Sequence, residues 1–382
     1  MNDPRVFAPV GRVDSSAMWR VCQPFNYLAE RGYPCSWNHM TAVDSAVEAV
    51  FADMVILPRL YWHNKKGEDA YIGHLRSLGK VVVWECDDDM FSWNPYMSAA
   101  WTEDERRKWG LWAGKARRVV RKTDGVIVST ERLRTRVMGV VRESQPVLVT
   151  PNLIHLGWWR SVLDLTRRDD PSLSIGWTGA KRNPRDLDVM LAAWSIVATR
   201  CPQVRFVTVG HHFEEFDKAV PPDRHTHYPW TSLQEYPAAC KQVDIGCAPL
   251  APSLFNGCKA PIKVMEYVVG GAAVVASPTV YEDHFGPDGL IIARTVDEWA
   301  EALVRLVGSE DERRKRWNLL FSEVVTRHSL EYNAKRIVST WRRMVEAVRP
   351  LNGGGAHERH NGTAGSGVSV RQPAGRATLS LP

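Results

Sequence analysis

The stretch DIGCAPLAPSLFNGCKAPIKVMEYVVGG, residues 244–271, decides the fold. A strand over Val243–Ala248 runs through a loop into the N-terminus of a helix over Pro261–Val269. Lys259 and Lys263 stand one turn apart, and Glu266 follows Lys263 by three residues. A helix start flanked by ammonium groups favours a phosphate. A carboxylate one turn further on can accept both hydroxyls of a ribose. The same three charges would also suit a salt-bridged surface helix, so the surrounding chain has to decide.

Outward from this stretch the pattern is α/β. Further strands are expected at Leu173–Trp177, Val204–Val209, Thr226–Tyr228, Ala272–Ala276 and Leu290–Ala293, with helices at Leu187–Thr199 and Val296–Val307 between them. The first half repeats the scheme, with strands at Arg5–Ala8, Cys35–His39, Met54–Leu57, Lys80–Glu85, Gly125–Ser129 and Val147–Thr150. These are near-continuous apolar runs, which suits a parallel sheet covered on both faces. Asp14 and Ser15 can cap a helix reaching Arg31, and another helix spans Thr102–Lys122. The reading is two Rossmann-like domains, residues 1–155 and 172–329, joined by a linker over 156–171. A helix over 330–350 closes the ordered part, and 351–382, rich in Gly, Ser, Ala and Pro, reads as a disordered tail.

The composition agrees. The chain has 382 residues, 44% hydrophobic and 24% charged, which excludes a disordered or fibrous protein. No apolar run is long enough for a membrane span, and the N-terminus has no secretory h-region. A cytoplasmic protein is expected, at most peripheral at the inner face of the membrane. Seven scattered cysteines without a C-x-x-C argue against a disulfide framework or a zinc knuckle. The net charge is +6, yet Arg106–Arg142 holds twelve Lys or Arg against two acids. Sixteen tryptophans recur beside strand ends and in loops, where flat side chains can line clefts.

In doubly wound sheets, ligands bind at the carboxyl ends of strands, and four other strand ends carry candidate chemistry. Gly11-Arg12-Val13-Asp14-Ser15-Ser16 opens a helix where a phosphate can sit, but it lacks G-x-G-x-x-G. Trp84-Glu85-Cys86-Asp87-Asp88-Asp89-Met90-Phe91 gathers three carboxylates that need solvent, a cation or donors. Gly176-Trp177-Thr178-Gly179-Ala180-Lys181-Arg182 lets the backbone approach a ligand and sets two cations where a diphosphate could be neutralised. Ala276-Ser277-Pro278, leading to Tyr281, is a plausible wall of the same pocket.

Taken together, these residues resemble the retaining glycosyltransferases of the GT-B fold in glycosyltransferase family 4, also called glycosyl transferases group 1. Phe255–Ser277 is similar to that family's nucleotide-sugar segment. Trp84–Phe91 and Pro151-Asn152-Leu153-Ile154 look like a bacterial and phage subgroup. The resemblance implies two domains facing a cleft, with the last helix crossing back onto the first domain. It implies a UDP- or GDP-sugar as donor substrate and no cofactor or metal, although Asp87-x-Asp89 looks like the D-x-D that holds Mn²⁺ in another class of sugar transferases. Lys181, Arg182 and Asp88 would be catalytic. Gly11, Arg12, Gly179, Asn256, Lys259, Lys263 and Glu266 would bind the donor, and Asp87 and Asp89 would face the sugar or acceptor. One departure stands out: the first glutamate of the family's E-x₇-E pair is Cys258 here.

The acceptor stays open between a glycan or lipid-linked saccharide, which would allow a peripheral membrane contact, and hydroxymethylated DNA, which would also want a basic face. The basic stretch equally suits a solvated surface. A non-catalytic nucleotide-sugar binding protein is the reading that Cys258 would favour.

Overall fold

The computed structural model describes residues 3–41, 43–59, 65–91, 101–165 and 170–352. Most of the expected tail therefore lies outside the described residues. Among the described residues, twelve strands form two six-stranded sheets, one strand for each expected from the sequence. The first contains β1 (Val6–Val10), β2 (Cys35–His39), β3 (Met54–Pro58), β4 (Val81–Cys86), β5 (Gly125–Val128) and β6 (Val147–Val149), in the order β2-β1-β3-β4-β5-β6. The second contains β7 (Ser174–Gly179), β8 (Arg205–Gly210), β9 (His225–Pro229), β10 (Ile245–Ala248), β11 (Ala273–Ala276) and β12 (Ile291–Ile292), in the order β12-β11-β10-β7-β8-β9. Every pairing is parallel. Strands such as VVVWEC in β4 are buried along their whole length because apolar clusters cover both faces of each sheet.

Each order has a switch point where successive strands diverge. It lies between β1 and β3 in the first sheet, and between β7 and β10 in the second. The crevices outside the carboxyl ends of those strands are where such folds bind ligands.

Two connections join the halves. Ile154 forms a parallel bridge with Ser329, so the chain leaves the first domain and returns to it side by side. The returning helix, Leu330–Asn352, lies across the first domain as expected. Its Trp341 packs on Phe25 at 5.0 Å, and Leu330, Ile337 and Met344 enter the core around β1 and β4. The segment read as a linker is instead partly structured. Helix Leu156–Leu163 buries Leu156, Trp159 and Leu163 against Met265 and Tyr267 of the second domain. Among the described residues no helix is long and apolar enough to cross a membrane. All seven cysteines are free.

Candidate active site

A cavity of about 260 Å³ lies between the domains and touches both switch points. From the first domain come Ser15, Ser16 and Trp19 of the helical segment after β1, Arg59 after β3, and Asp87 and Asp88 after β4. From the second come Gly179 and Arg182 after β7, and the segment Lys259–Glu266. Of the residues expected from sequence, Asp87, Asp88, Gly179, Arg182, Lys259, Lys263 and Glu266 are brought together here, with Tyr281 as a further wall.

Glu266 anchors the second-domain side. Its helix, Ile262–Gly270, buries Val264, Met265, Tyr267 and Val268 against the sheet, which turns Lys263 and Glu266 toward the cavity. Lys263 Nζ donates to Glu266 Oε2 at 2.7 Å, to Tyr236 Oη at 2.7 Å and to Thr178 Oγ1 at 3.2 Å. Tyr236 donates in turn to Glu266 Oε2 at 2.9 Å. Burial pushes the Tyr236 phenol well above its ordinary pKa, so it stays a donor. The turn after β7 is held from behind. His211 N donates to Gly179 O at 2.9 Å, and a Cβ on Gly210 would meet that carbonyl at 2.3 Å, so only glycine fits there.

On the first-domain side, Arg59 has a left-handed backbone (φ 47°), a conformation rarely adopted by a residue with a side chain. Its guanidinium reaches Asp87 Oδ1 at 2.7 Å and also Asp88. Asp87 accepts a second bond from Ser16 Oγ at 2.6 Å. Asp88 accepts from Lys259 Nζ, across the domain boundary, at 3.1 Å. Burial pushes the Asp88 carboxyl up, but Lys259 and Arg59 outweigh it and hold the group well below the ordinary carboxylate range. Burial likewise opposes the Arg59 charge, and Asp87 and Asp88 more than offset it.

Five expected site residues lie elsewhere. Asp89 is buried, with its carboxylate on Arg136 Nε at 3.1 Å and on the Phe91 amide, so it braces the acidic turn from below. Asn256 is buried and donates to Asp186 and to the Ala251 carbonyl, which shapes the loop rather than the cavity wall. Gly11 and Arg12 line a neighbouring cavity of the first domain. Lys181, unlike Arg182, sits at the rim, where it pairs with Glu105 of the first domain at 2.9 Å. Cys258, at the position of the missing glutamate, faces away from the cavity. It packs into the apolar cluster around Phe91 and Val128, and burial pushes its thiol up to about 11.

Several cavity residues carried no sequence signal strong enough to single them out. Arg59 and Tyr236 sit in no motif, and Ser16 reads as an ordinary cap neighbour. Trp230, 53% exposed and stacked on Tyr236 at 6.2 Å, is foreshadowed only by the general recurrence of tryptophan near strand ends. The basic stretch also changes character. Ten of its twelve cations bond to carboxylates or carbonyls of the chain, as Arg118 and Lys122 do with Glu68, and Arg117 with the Phe91 carbonyl.

Comparisons with known proteins agree with this geometry. Residues 172–309 match the family described as glycosyl transferases group 1. The whole fold is similar to a sucrose-phosphate synthase from Thermosynechococcus elongatus, with TM-score 0.60 and 13% identity over 91% of this chain and 100% of that one. It is similar to a glycosyltransferase from Rickettsia africae, with TM-score 0.59 and 11% identity over 91% and 100%. It is also similar to Anabaena Alr3699/HepE in complex with UDP and glucose, with TM-score 0.56 and 11% identity over 88% and 99%. No curated protein matches the sequence. Two parallel sheets facing a cleft give the chain the GT-B fold of these proteins, and the matched segment of its second domain is of the glycosyl transferases group 1 type.

Proposed function

We propose that the protein transfers a sugar from a UDP- or GDP-sugar to an acceptor hydroxyl, with retention at the anomeric carbon and without a metal ion. One observation carries this reading. Arg59 from the first domain, and Arg182, Lys259 and Lys263 from the second, converge on one cavity. Both arginines keep a buried Nε–H without a hydrogen-bond partner, although the Arg182 guanidinium also lies over Trp177. Buried donors ordinarily find acceptors, and a diphosphate supplies several. Glu266 would accept the ribose hydroxyls, and Trp230 offers a flat face to the base.

In the reaction the acceptor oxygen bonds to the anomeric carbon as the bond from that carbon to the diphosphate oxygen breaks. The electron pair stays on the departing diphosphate, which also takes up the hydroxyl proton. Negative charge therefore grows at the fixed cations, which stabilise the transition state more than the ground state. Asp87 and Asp88 are already neutralised by Arg59 and Lys259, which supports metal independence. A glycan or lipid-linked saccharide is favoured as acceptor over DNA, because the basic stretch keeps few cations for a phosphate backbone. Binding of UDP and glucose by a protein of similar fold is consistent with the donor class.

Thermal unfolding with UDP-, GDP-, ADP- and TDP-sugars tests the reading. A donor at a hundred times its Kd stabilises by about 2.7 kcal/mol, and one base should stand out. No shift with any of the four would sink the proposal. The anomeric configuration of the product, read by NMR, decides retention.

A further inference from the structure

Four of the chain's twelve histidines fall within residues 211–227, at the β9 edge of the second sheet. His225 and His227 share one face of β9, because side chains two apart along a strand point the same way. Between them lies the Thr208 hydroxyl of β8, 2.9 Å from His225 Nε2 and 2.9 Å from His227 Nδ1. The other His225 nitrogen, Nδ1, lies 3.3 Å from Asp217 Oδ1, and His212 Nε2 lies 2.9 Å from Asp217 Oδ2. The His212 ring is 5.0 Å from that of His227 and 6.4 Å from that of His225. Thr208 is fully buried, whereas His212 and Asp217 reach solvent. Among the described residues no group of three such ligands could hold a metal ion. A neutral imidazole offers one donor and one acceptor, and a hydroxyl has one hydrogen. One ordered chain satisfies them all: His227 Nδ1–H donates to Thr208 Oγ1, Thr208 donates to His225 Nε2, and His225 Nδ1–H donates to Asp217. The opposite direction would set a bare Nδ1 against the Asp217 carboxylate. A second proton on His225 turns its Nε2 into a donor. The buried Thr208 oxygen then faces two N–H groups, and its own hydrogen loses its acceptor, which is costly.

Both strands run from this cluster into the donor cavity. Two residues beyond Thr208, Gly210 packs against the Gly179 carbonyl, and the His211 amide donates to that carbonyl at 2.9 Å. Three residues beyond His227 stands Trp230, which lines the cavity. The register Thr208↔His227 through Gly210↔Pro229 moves the two strand ends together. We propose that the cluster is a proton switch on donor binding: with His225 neutral the strands hold Gly179 and Trp230 in the binding arrangement, and a proton on His225 loosens both. The groups around it have both signs. Helix Glu214–Ala219 presents Asp217 to the rings and carries Glu214, Glu215 and Lys218 besides, with Phe216 packed 6.2 Å from the His225 ring. From the turn after β7, the Lys181 charge acts on His211. Arg205 of β8 lies on the opposite face, bonded to Thr226 and paired with Asp170. Burial holds His211, His225 and His227 below the ordinary histidine value. Repulsion from His212 adds to this, and Asp217 opposes it at His225 and His227. The proton is therefore taken up only below about pH 6.5, and donor affinity is full above that value and falls beneath it. An imidazolium also attracts a diphosphate, but across the solvated rim salt screens that attraction, so the broken chain decides the sign.

The inference rests on the donor reading above, and the experiment separates the two. The full chain is titrated calorimetrically with UDP, or with GDP where the thermal screen selects it, at pH 7.5 and pH 5.0. Each protein is normalised to its own affinity at pH 7.5. The terminal phosphate of the nucleotide titrates near pH 6 as well, but it does so equally for every protein, so the comparison removes it. By pH 5.0 wild type should lose about threefold more affinity than His225→Gln, which keeps an acceptor for Thr208 and takes up no proton. Equal losses in the two proteins overturn the inference, as does a greater loss in the variant. Should His225→Gln fail to bind at pH 7.5, Asp217→Asn takes its place. That exposed change withdraws the charge that favours a proton on His225, so it too should lose less than wild type, and an equal or greater loss overturns the inference. A wild type that binds neither nucleotide at pH 7.5 overturns the donor reading, and this inference with it.

Discussion

Lys263 is held by three oxygens, and only one of them carries a charge. Glu266→Ala removes that carboxylate and leaves a largely buried ammonium facing two hydroxyls. It also removes the group proposed to hold the ribose. Breaking a buried pair by deleting one partner costs about 3–5 kcal/mol. Here the cavity is open to water on one side, so part of that cost is relieved. We expect kcat/KM for the donor to fall by about a hundredfold, or 2.7 kcal/mol. Glu266→Gln, which keeps an acceptor oxygen, should lose less. A kcat/KM in Glu266→Ala within about threefold of wild type would remove Glu266 from the site. Lys263, Glu266 and Lys259 were legible in the sequence because three charges at helical spacing follow a buried strand. Arg59 was not legible, since its role depends on a left-handed turn after β3 and on β3 lying next to β4.

Elements show the same division. The strands were legible because burial on both faces demands long β-branched runs, and a parallel sheet leaves little else. The Asp14 cap was legible as well. The helix it opens has an irregularity that no periodicity announces: a π-turn over Met18–Cys22. Such turns often mark functional positions. This one sets Arg20 inward, where it pairs with Glu85 and donates to Asn152 and the Thr150 carbonyl, while Ser16 and Trp19 face the cavity. Glu85 lies two residues before Asp87, so the buried pair ties the helix to the acidic turn. The joint between the domains carries its own titration. His328, at the end of helix Glu310–His328, accepts the Ile154 amide at its carbonyl, beside the Phe285 ring at 4.8 Å. Burial, with His284 adding to it, pushes the imidazole down to about 4. A base with a depressed pKa binds fewer protons folded than unfolded between its two pKa values, so stability falls as pH drops from about 6.5 toward 4. Between pH 7 and pH 5 this group should cost about 2 kcal/mol. Urea midpoints of wild type and His328→Gln at both values check it: the variant should lose less between them, and parallel losses would refute the assignment.

At the scale of the whole molecule, contacts across the cleft hold the two sheets face to face. Thr130 Oγ1 donates to the Cys258 carbonyl at 2.9 Å, Arg132 pairs with Asp283, and Lys259 with Asp88. Position 258 serves this seam with its side chain as well, which accounts for an apolar residue where the related pattern has a glutamate. Lys181 belongs to the seam too, because its partner Glu105 stands at the start of helix Glu103–Lys122. If Lys181 serves the donor diphosphate, it must leave Glu105 to do so, and the ion pair opposes donor binding. Glu105 also closes a capping box with Thr102, and glutamine can serve in that box. Glu105→Gln therefore removes the charge and keeps the helix start. Both side chains are more than a third exposed, so solvent screening leaves the pair weak. UDP should accordingly bind Glu105→Gln up to about fivefold more tightly than wild type, with the gain shrinking at high salt. Lys181→Ala should bind UDP more weakly than wild type, and adding Glu105→Gln to it should change nothing further. Calorimetric titration of the four proteins at low and high salt closes the cycle. If Glu105→Gln tightens UDP equally with and without Lys181, the lysine belongs to the domain seam alone, and the diphosphate is held by Arg59, Arg182 and Lys259.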